Sequence, residues 1–277
     1  MGTNDERFGG YLNKPHKLSA SALSTYLKSP KAYYMRYIRR LDPIAQSVAN
    51  FDEAKLVGVL WSEWVDRFYK GVEEDKNTDL MLDKWTEQSN GWVPDKTSSK
   101  LVLAMESWAT EYCTKFSPDD GVRNGSEKLV ENERFLGYVD GLSHDGLTLH
   151  ENKTTSRAMS MSDQLLKYQM SLQIKLYAVL TGATGVILDI AFKDPPYGVY
   201  RAPRYAFKEG EVAAWEKGLN KLADFIYGLG DDPDNFPCFG DNCSLISRGM
   251  NSVCAYQPLC LGIEGAEICF KPKEHRK

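Results

Sequence analysis

Asp140, Glu151 and Lys153 are the residues whose types and spacing best suit hydrolytic chemistry. They lie in GYVDGLSHDGLTLHENKTTSR, residues 137–157, where apolar and polar side chains alternate on either side of Asp145-Gly146. Such alternation marks half-buried strands, and Asp-Gly is a strong two-residue hairpin signal. With those two residues as the loop, His144 faces Leu147 and Asp140 faces Glu151. Directly opposed Cβ atoms stand about 5 Å apart, and like charges so placed destabilise a sheet unless something positive lies between them. Lys153 shares a strand face with Glu151, whereas Asn152 points away. Two hard carboxylate ligands beside an ammonium outline a divalent-cation hydrolysis site. The plainer alternative is a solvated Glu–Lys pair of little energetic weight. The register, which the turn sets independently, raises the case for the site and leaves both readings open.

The next segment is suited to position those groups. Residues 163–181, DQLLKYQMSLQIKLYAVLT, have helical periodicity with Asp163 as N-cap. Gln169, Gln173 and Tyr177 recur every fourth position and so share a face. In an ordinary amphipathic helix that stripe faces water. Directly after the site strand, it could instead reach Lys153 or a phosphodiester backbone.

The order of acid, hairpin, Glu-x-Lys and helix with Gln-x-x-x-Tyr resembles the RecB-type branch of the PD-(D/E)XK nucleases. That branch includes AddB-type helicase-nucleases, CRISPR-adaptation nucleases and phage exonucleases. Residues 18–38, LSASALSTYLKSPKAYYMRYI, resemble the family's opening segment, and YQPLC at 256–260 resembles its cysteine-bearing tail. The resemblance implies a restriction-endonuclease-like α/β core, a mixed sheet flanked by helices. It implies a Mg²⁺- or Mn²⁺-dependent deoxyribonuclease, exonucleolytic in polarity, acting in recombination, repair or DNA end-processing. Asp140, Glu151 and the Asn152 carbonyl would hold the cation, Lys153 would assist the attacking water, and Gln173 with Tyr177 would orient Lys153 or the backbone. DNA is the implied partner, with a helicase, annealing protein or other recombination factor beside it. The alternative is an inactive nuclease fold that serves in DNA binding or assembly.

Two positions depart from the family pattern. Members with an iron–sulfur cluster carry a cysteine just before the proline of the first helix; here that residue is Ser29. Members also commonly place a metal-binding His four residues after a Gly in the second helix. In LVGVLWSEWVDRFY that Gly is Gly58, and the fourth residue on is Ser62. Cys238, Cys243, Cys254 and Cys260 could supply four thiolates to zinc or an iron–sulfur cluster. Their spacing lacks tight Cys-x2-Cys pairs, so reduced thiols are the favoured expectation. Cys113 reads as a small buried hydrophobe.

Composition bounds the rest. The chain has 277 residues, 42% of them hydrophobic, and a net charge of −4. No apolar run approaches a membrane span, and the polar N-terminus lacks a signal-peptide core, so a soluble cytoplasmic protein is expected. The acidic balance requires a nucleic-acid enzyme to concentrate its positive charge locally. Residues 26–41 do so, with Lys28, Lys31, Arg36, Arg39 and Arg40 among Tyr26, Tyr33, Tyr34 and Tyr37 and no acid. Cations neutralise phosphates and rings stack on unpaired bases; the competing reading is an amphipathic helix with core tyrosines and snorkelling cations. Lys28, Lys31, Tyr34 and the three arginines are the candidate contacts, with Arg36, Arg39 and Arg40 clustered on one helix side.

The expected organisation is a flexible N-terminus at 1–17, an N-terminal helical region at 18–125, a nuclease core at 126–230 and a Cys-containing tail at 231–277. Helices are expected at about 19–40, 53–72, 98–116 and 209–229. A short helix near Leu80 to Gln88 would sit in an acidic insertion or flexible arm. Strands are expected at about 127–135, 137–143, 147–154, 185–193 and 198–207. Glu131 and Glu133 are second-tier candidates.

Overall fold

The computed structural model describes residues 16–43, 53–88, 100–118, 128–156, 160–237, 256, 259 and 270–272. The chain forms two units, one of residues 1–51, 133–135 and 218–277, the other of residues 52–132 and 136–217.

In the first unit, α1 (Ala20–Lys28) starts at Ser19, whose side chain accepts from the Ala22 amide. The expected continuous helix over 19–40 is broken. Ser29 Oγ accepts from the Ala32 amide and Pro30 opens α2 (Pro30–Tyr33), because a proline ring fits a helix's first position but cannot donate within one. Ser29 is thus a buried cap at the place where a cysteine would ligate. A π-helical turn, Tyr34–Ile38, follows, and Arg40 then takes a positive φ of 52°. Arg36, Arg39 and Arg40 therefore do not share one helical face. Strand β1 (Leu41–Pro43) pairs with the later segment Phe270–Pro272. Tyr33 stacks on Phe236, and Tyr34 is buried against the same ring, which makes both tyrosines core residues.

The second unit opens with α3 (Glu53–Tyr69), α4 (Glu74–Gln88) and α5 (Lys100–Lys115). Leu56, Leu60, Trp64 and Phe68 recur every fourth residue along α3, so one stripe of the helix is apolar and must be covered. Trp61, Trp64, Trp85, Trp108 and Tyr112 fill the resulting core together with Ala191 and Val199 from the sheet. Large aromatic side chains remove about 150–250 Å² each from water and dominate such cores. The acidic segment expected to be an insertion or arm is instead helical from Glu74. Met81 and Trp85, one turn apart on α4, are buried in this core. Buried Asn77 accepts from Arg67 Nε at 2.6 Å and donates to the Trp64 carbonyl at 2.9 Å, tying α4 to α3.

Strands β2 (Lys128–Glu131) and β3 (Leu136–Val139) form an antiparallel ribbon. The main sheet contains β4 (Gly141–Leu142), β5 (Thr148–Thr155), β6 (Gly185–Phe192) and β7 (Gly198–Arg201) in that order, with β8 (Tyr205–Ala206) pairing with the start of β6. The pairing of β5 with β6 is parallel and the other pairings are antiparallel, so the sheet is mixed, as expected. The expected strands 137–143 and 198–207 are each divided, the first at Asp140 and the second after Arg201. The crossover from β5 to β6 is made by α6 (Met161–Gln169) and α7 (Leu172–Thr181). One helix was expected there. Ser160 caps α6, and Ser171 accepts from the Ile174 amide to start α7 afresh, so Asp163 is not the cap and Gln169 lies on a different helix from Gln173. The last long helix is α8 (Glu211–Gly228). No helix among the described residues is long and apolar enough to cross a membrane.

Candidate active site

The hairpin between β4 and β5 holds the expected register. Gly141 pairs with His150 and Leu142 with Leu149, which continues to Asp140 opposite Glu151. The loop itself has four residues rather than two. Ser143 N donates to the Thr148 carbonyl at 2.9 Å, while Thr148 N donates to Ser143 Oγ. Asp145 Oδ1 accepts from Leu147 N at 2.9 Å. These side-chain bonds compete with the ladder and widen the turn without shifting the strands.

Asp140 stands at the bend between β3 and β4, on the open side of β5. Its Oδ2 accepts from the Asn152 amide at 2.8 Å, and its Oδ1 accepts from Ser62 Oγ at 2.9 Å. In a strand, a residue's N–H and C=O point to the same side, so the Asn152 carbonyl lies along the edge that Asp140 occupies. Asn152's side chain points to the other face from Glu151, and its Nδ2 approaches Ser62 Oγ at 3.4 Å.

Glu151 and Lys153 face α7. Lys153 Nζ donates to Glu151 Oε2 at 2.7 Å and to Gln173 Oε1 at 3.3 Å; Gln173 Nε2 donates to Tyr177 Oη at 3.0 Å. The four side chains form one chain of contacts; the helical spacing of Gln173 and Tyr177 accounts for their shared face. The Glu151 side chain is fully buried, and its Oε1 has no hydrogen-bond partner. A buried, unsatisfied carboxylate oxygen costs free energy that a hydrogen bond or a bound cation would recover.

The electrostatics follow from this placement. Burial pushes Glu151 up to about 7, and nearby Asp140 adds to the rise while Lys153 opposes it. Burial works to lower Lys153, but the Glu151 and Asp140 carboxylates outweigh it and hold the ammonium above its ordinary value. Burial, followed by the Glu151 charge, raises Tyr177 to about 12, so its phenol stays protonated.

These contacts form two groups that meet at the adjacent residues Glu151 and Asn152: Asp140 with Asn152, and Glu151 with Lys153, Gln173 and Tyr177. They add Ser62, which the sequence marks only as an irregular position, since its partner lies 78 residues away. Glu131 and Glu133 are exposed. No cluster of three or more His, Cys, Asp or Glu side chains suited to a metal occurs among the described residues. The donors present are two carboxylates and a main-chain carbonyl, a hard oxygen set that suits Mg²⁺ or Mn²⁺ with water completing the shell. In the first unit, Lys28 and Arg36 are exposed, whereas Lys31 donates to the Pro233 carbonyl at 3.0 Å. Cys238, Cys243, Cys254 and Cys260 lie outside the described residues.

A mixed sheet with an acid at a strand break, Glu-x-Lys on the next strand and a Gln/Tyr helix behind it defines a restriction-endonuclease-like nuclease fold. The chain belongs to the PD-(D/E)XK nuclease superfamily, whose sequence pattern matches residues 17–260. Among solved structures, it is similar to a crystal structure from Eubacterium rectale provisionally described as an exonuclease. That likeness has 12% identity and a TM-score of 0.49 over 95% of this chain and 100% of the other. No curated protein matches the chain.

Proposed function

We propose that the protein is a Mg²⁺- or Mn²⁺-dependent deoxyribonuclease of the RecB/AddB-type branch that removes nucleotides from DNA ends during recombination or repair. The observation that carries this reading is the buried Glu151 carboxylate, with one oxygen on Lys153 and the other unsatisfied, beside Asp140. Asp140, Glu151 and the Asn152 carbonyl would hold the cation. A divalent cation at such a site lowers the pKa of a water and offsets charge on the scissile phosphate. Lys153 orients the attacking water and offers its ammonium to the charge that builds on the phosphoryl oxygens. Gln173 fixes the Lys153 rotamer, and Tyr177 fixes Gln173 in turn. Lys28, Arg36, Arg39 and Arg40 supply cations for backbone phosphates in the first unit.

The test is cleavage of end-labelled linear and closed-circular DNA, single- and double-stranded, with Mg²⁺, Mn²⁺ or EDTA. Cation-dependent loss of linear substrate only is the expected result. Lys153→Ala should abolish cleavage while DNA binding persists; full cleavage by that variant overturns the assignment.

A further inference from the structure

Helix α3 meets β5 on the face that carries Asn152 and Thr154, opposite the face that carries Glu151 and Lys153. Gly58 and Ser62, one helical turn apart, make the approach. A Cβ at Gly58 would stand 3.3 Å from Thr154 Oγ1, and Ser62 meets Asn152 and Asp140. The result is a closed ring. Ser62 Oγ donates its single proton to Asp140 Oδ1 at 2.9 Å and accepts from Asn152 Nδ2 at 3.4 Å, while Asn152 N donates to Asp140 Oδ2 at 2.8 Å. Each Asp140 oxygen therefore has a donor from a different element, one from α3 and one from β5.

We infer that Ser62, steered by the Asn152 side chain, is a positioning residue that fixes the rotation of the Asp140 carboxylate for cation binding and is not itself a ligand. This rests on the cation-site reading above. A carboxylate at a strand bend has two soft torsions, and one main-chain donor restrains only one oxygen. The hydroxyl restrains the other, so the two donors together fix the plane of the Asp140 carboxylate. Its proton is committed to Asp140, and an accepted bond from Asn152 opposes its turning toward a cation. The cation is then held by two carboxylates, a carbonyl and water, with affinity that depends on how rigidly Asp140 is presented.

The test uses the full chain and the cation alone. Mg²⁺ binding is followed by calorimetry and Mn²⁺ binding by electron paramagnetic resonance, with no DNA present. Ser62→Ala and Ser62→Val should each weaken Kd by about 10-fold or more, the usual loss when a partner that orients a ligand is removed. Ser62→Thr, which matches valine in shape and keeps the hydroxyl, should restore it. Asn152→Ala leaves the helix intact and should weaken Kd by a smaller factor. Melting temperatures show that each variant is folded, and a purely packing role would make valine and threonine bind alike. Equal affinity for Ser62→Val and wild type overturns the inference. Glu151→Gln separates the two levels. If it weakens binding while Ser62→Val does not, the positioning role alone fails; if wild type binds no cation, or Glu151→Gln binds as wild type does, the site reading fails and takes the inference with it.

Discussion

Gly137 on β3 lies against the ring of Tyr177 on α7, so closely that a Cβ added there would stand 2.4 Å from Tyr177 Cε1. Tyr177 is buried and cannot swing aside into solvent. Gly137→Ala must therefore displace the ring, and with it the hydroxyl that accepts from Gln173. Overpacking of this kind costs about 1–3 kcal/mol. Chemical denaturation should show that loss, and cleavage should fall further than stability alone explains, because Gln173 and Lys153 shift with the ring.

Tyr177→Phe isolates the hydroxyl from the ring. The Gln173 amide keeps its bond to Lys153 but loses the acceptor that orients its Nε2. A neutral hydrogen bond of this kind contributes about 0.5–1.5 kcal/mol, so kcat should fall about 3- to 10-fold with DNA affinity retained. Steady-state kinetics alongside an equilibrium binding assay checks the split. A change confined to KM would place Tyr177 with the substrate instead of with Lys153.

The extent to which the sequence foretells this site depends on the range of each interaction. The Asp140–Glu151 register is legible because Asp145-Gly146 and the period-2 alternation act over a dozen residues. The loop differs because Ser143 and Asp145 bond the turn's own main chain, a local competition that the Asp-Gly signal does not describe. The Gln173–Tyr177 face is legible from helical spacing, but the fresh start at Ser171 is concealed, since Leu172 and Ile174 continue the apolar pattern. α4 looks like an acidic arm because only Met81 and Trp85 mark its buried side, and nothing local says that three tryptophans from other helices await them. Ser62 stands out in the sequence only as a departure from the family's histidine; nothing local points to Asp140, and that bond forms when α3 settles on β5.

Behind the site strand, Asp189 of β6 pairs in register with Asn152 of β5. It takes a bidentate ion pair from Arg201 at 2.8 and 2.9 Å and a hydrogen bond from Tyr112 Oη at 2.6 Å, while Arg201 also donates to Tyr69 Oη at 2.7 Å. The network joins α3, α5, β6 and β7. Removing one charge leaves the other buried and uncompensated, which costs about 3–5 kcal/mol. Asp189→Asn should lower the melting temperature accordingly. Adding Arg201→Gln to it should cost less than the sum of the two single variants, a coupling that a double-mutant cycle measures directly.

The Glu151 carboxyl sets a pH dependence whose sign differs for folding and for cation binding. Burial raises it from 4.5 to about 7 in the folded protein. Across that window the folded state keeps a proton that the unfolded chain has shed, so this carboxyl's own contribution to stability without cation is greatest below the lower value and falls as pH rises to the upper one. Cation binding requires the deprotonated carboxylate, so its affinity moves the opposite way. Below pH 7 the Mg²⁺ Kd should weaken by roughly 10-fold per pH unit until a second group protonates, and binding near pH 6 should release close to one proton. Calorimetry in buffers of different ionisation enthalpy counts that proton. Glu151→Gln should abolish both the release and the pH dependence of the remaining weak binding; a pH-independent wild-type Kd between pH 5.5 and 7.5 would show that Glu151 is ionised before the cation arrives.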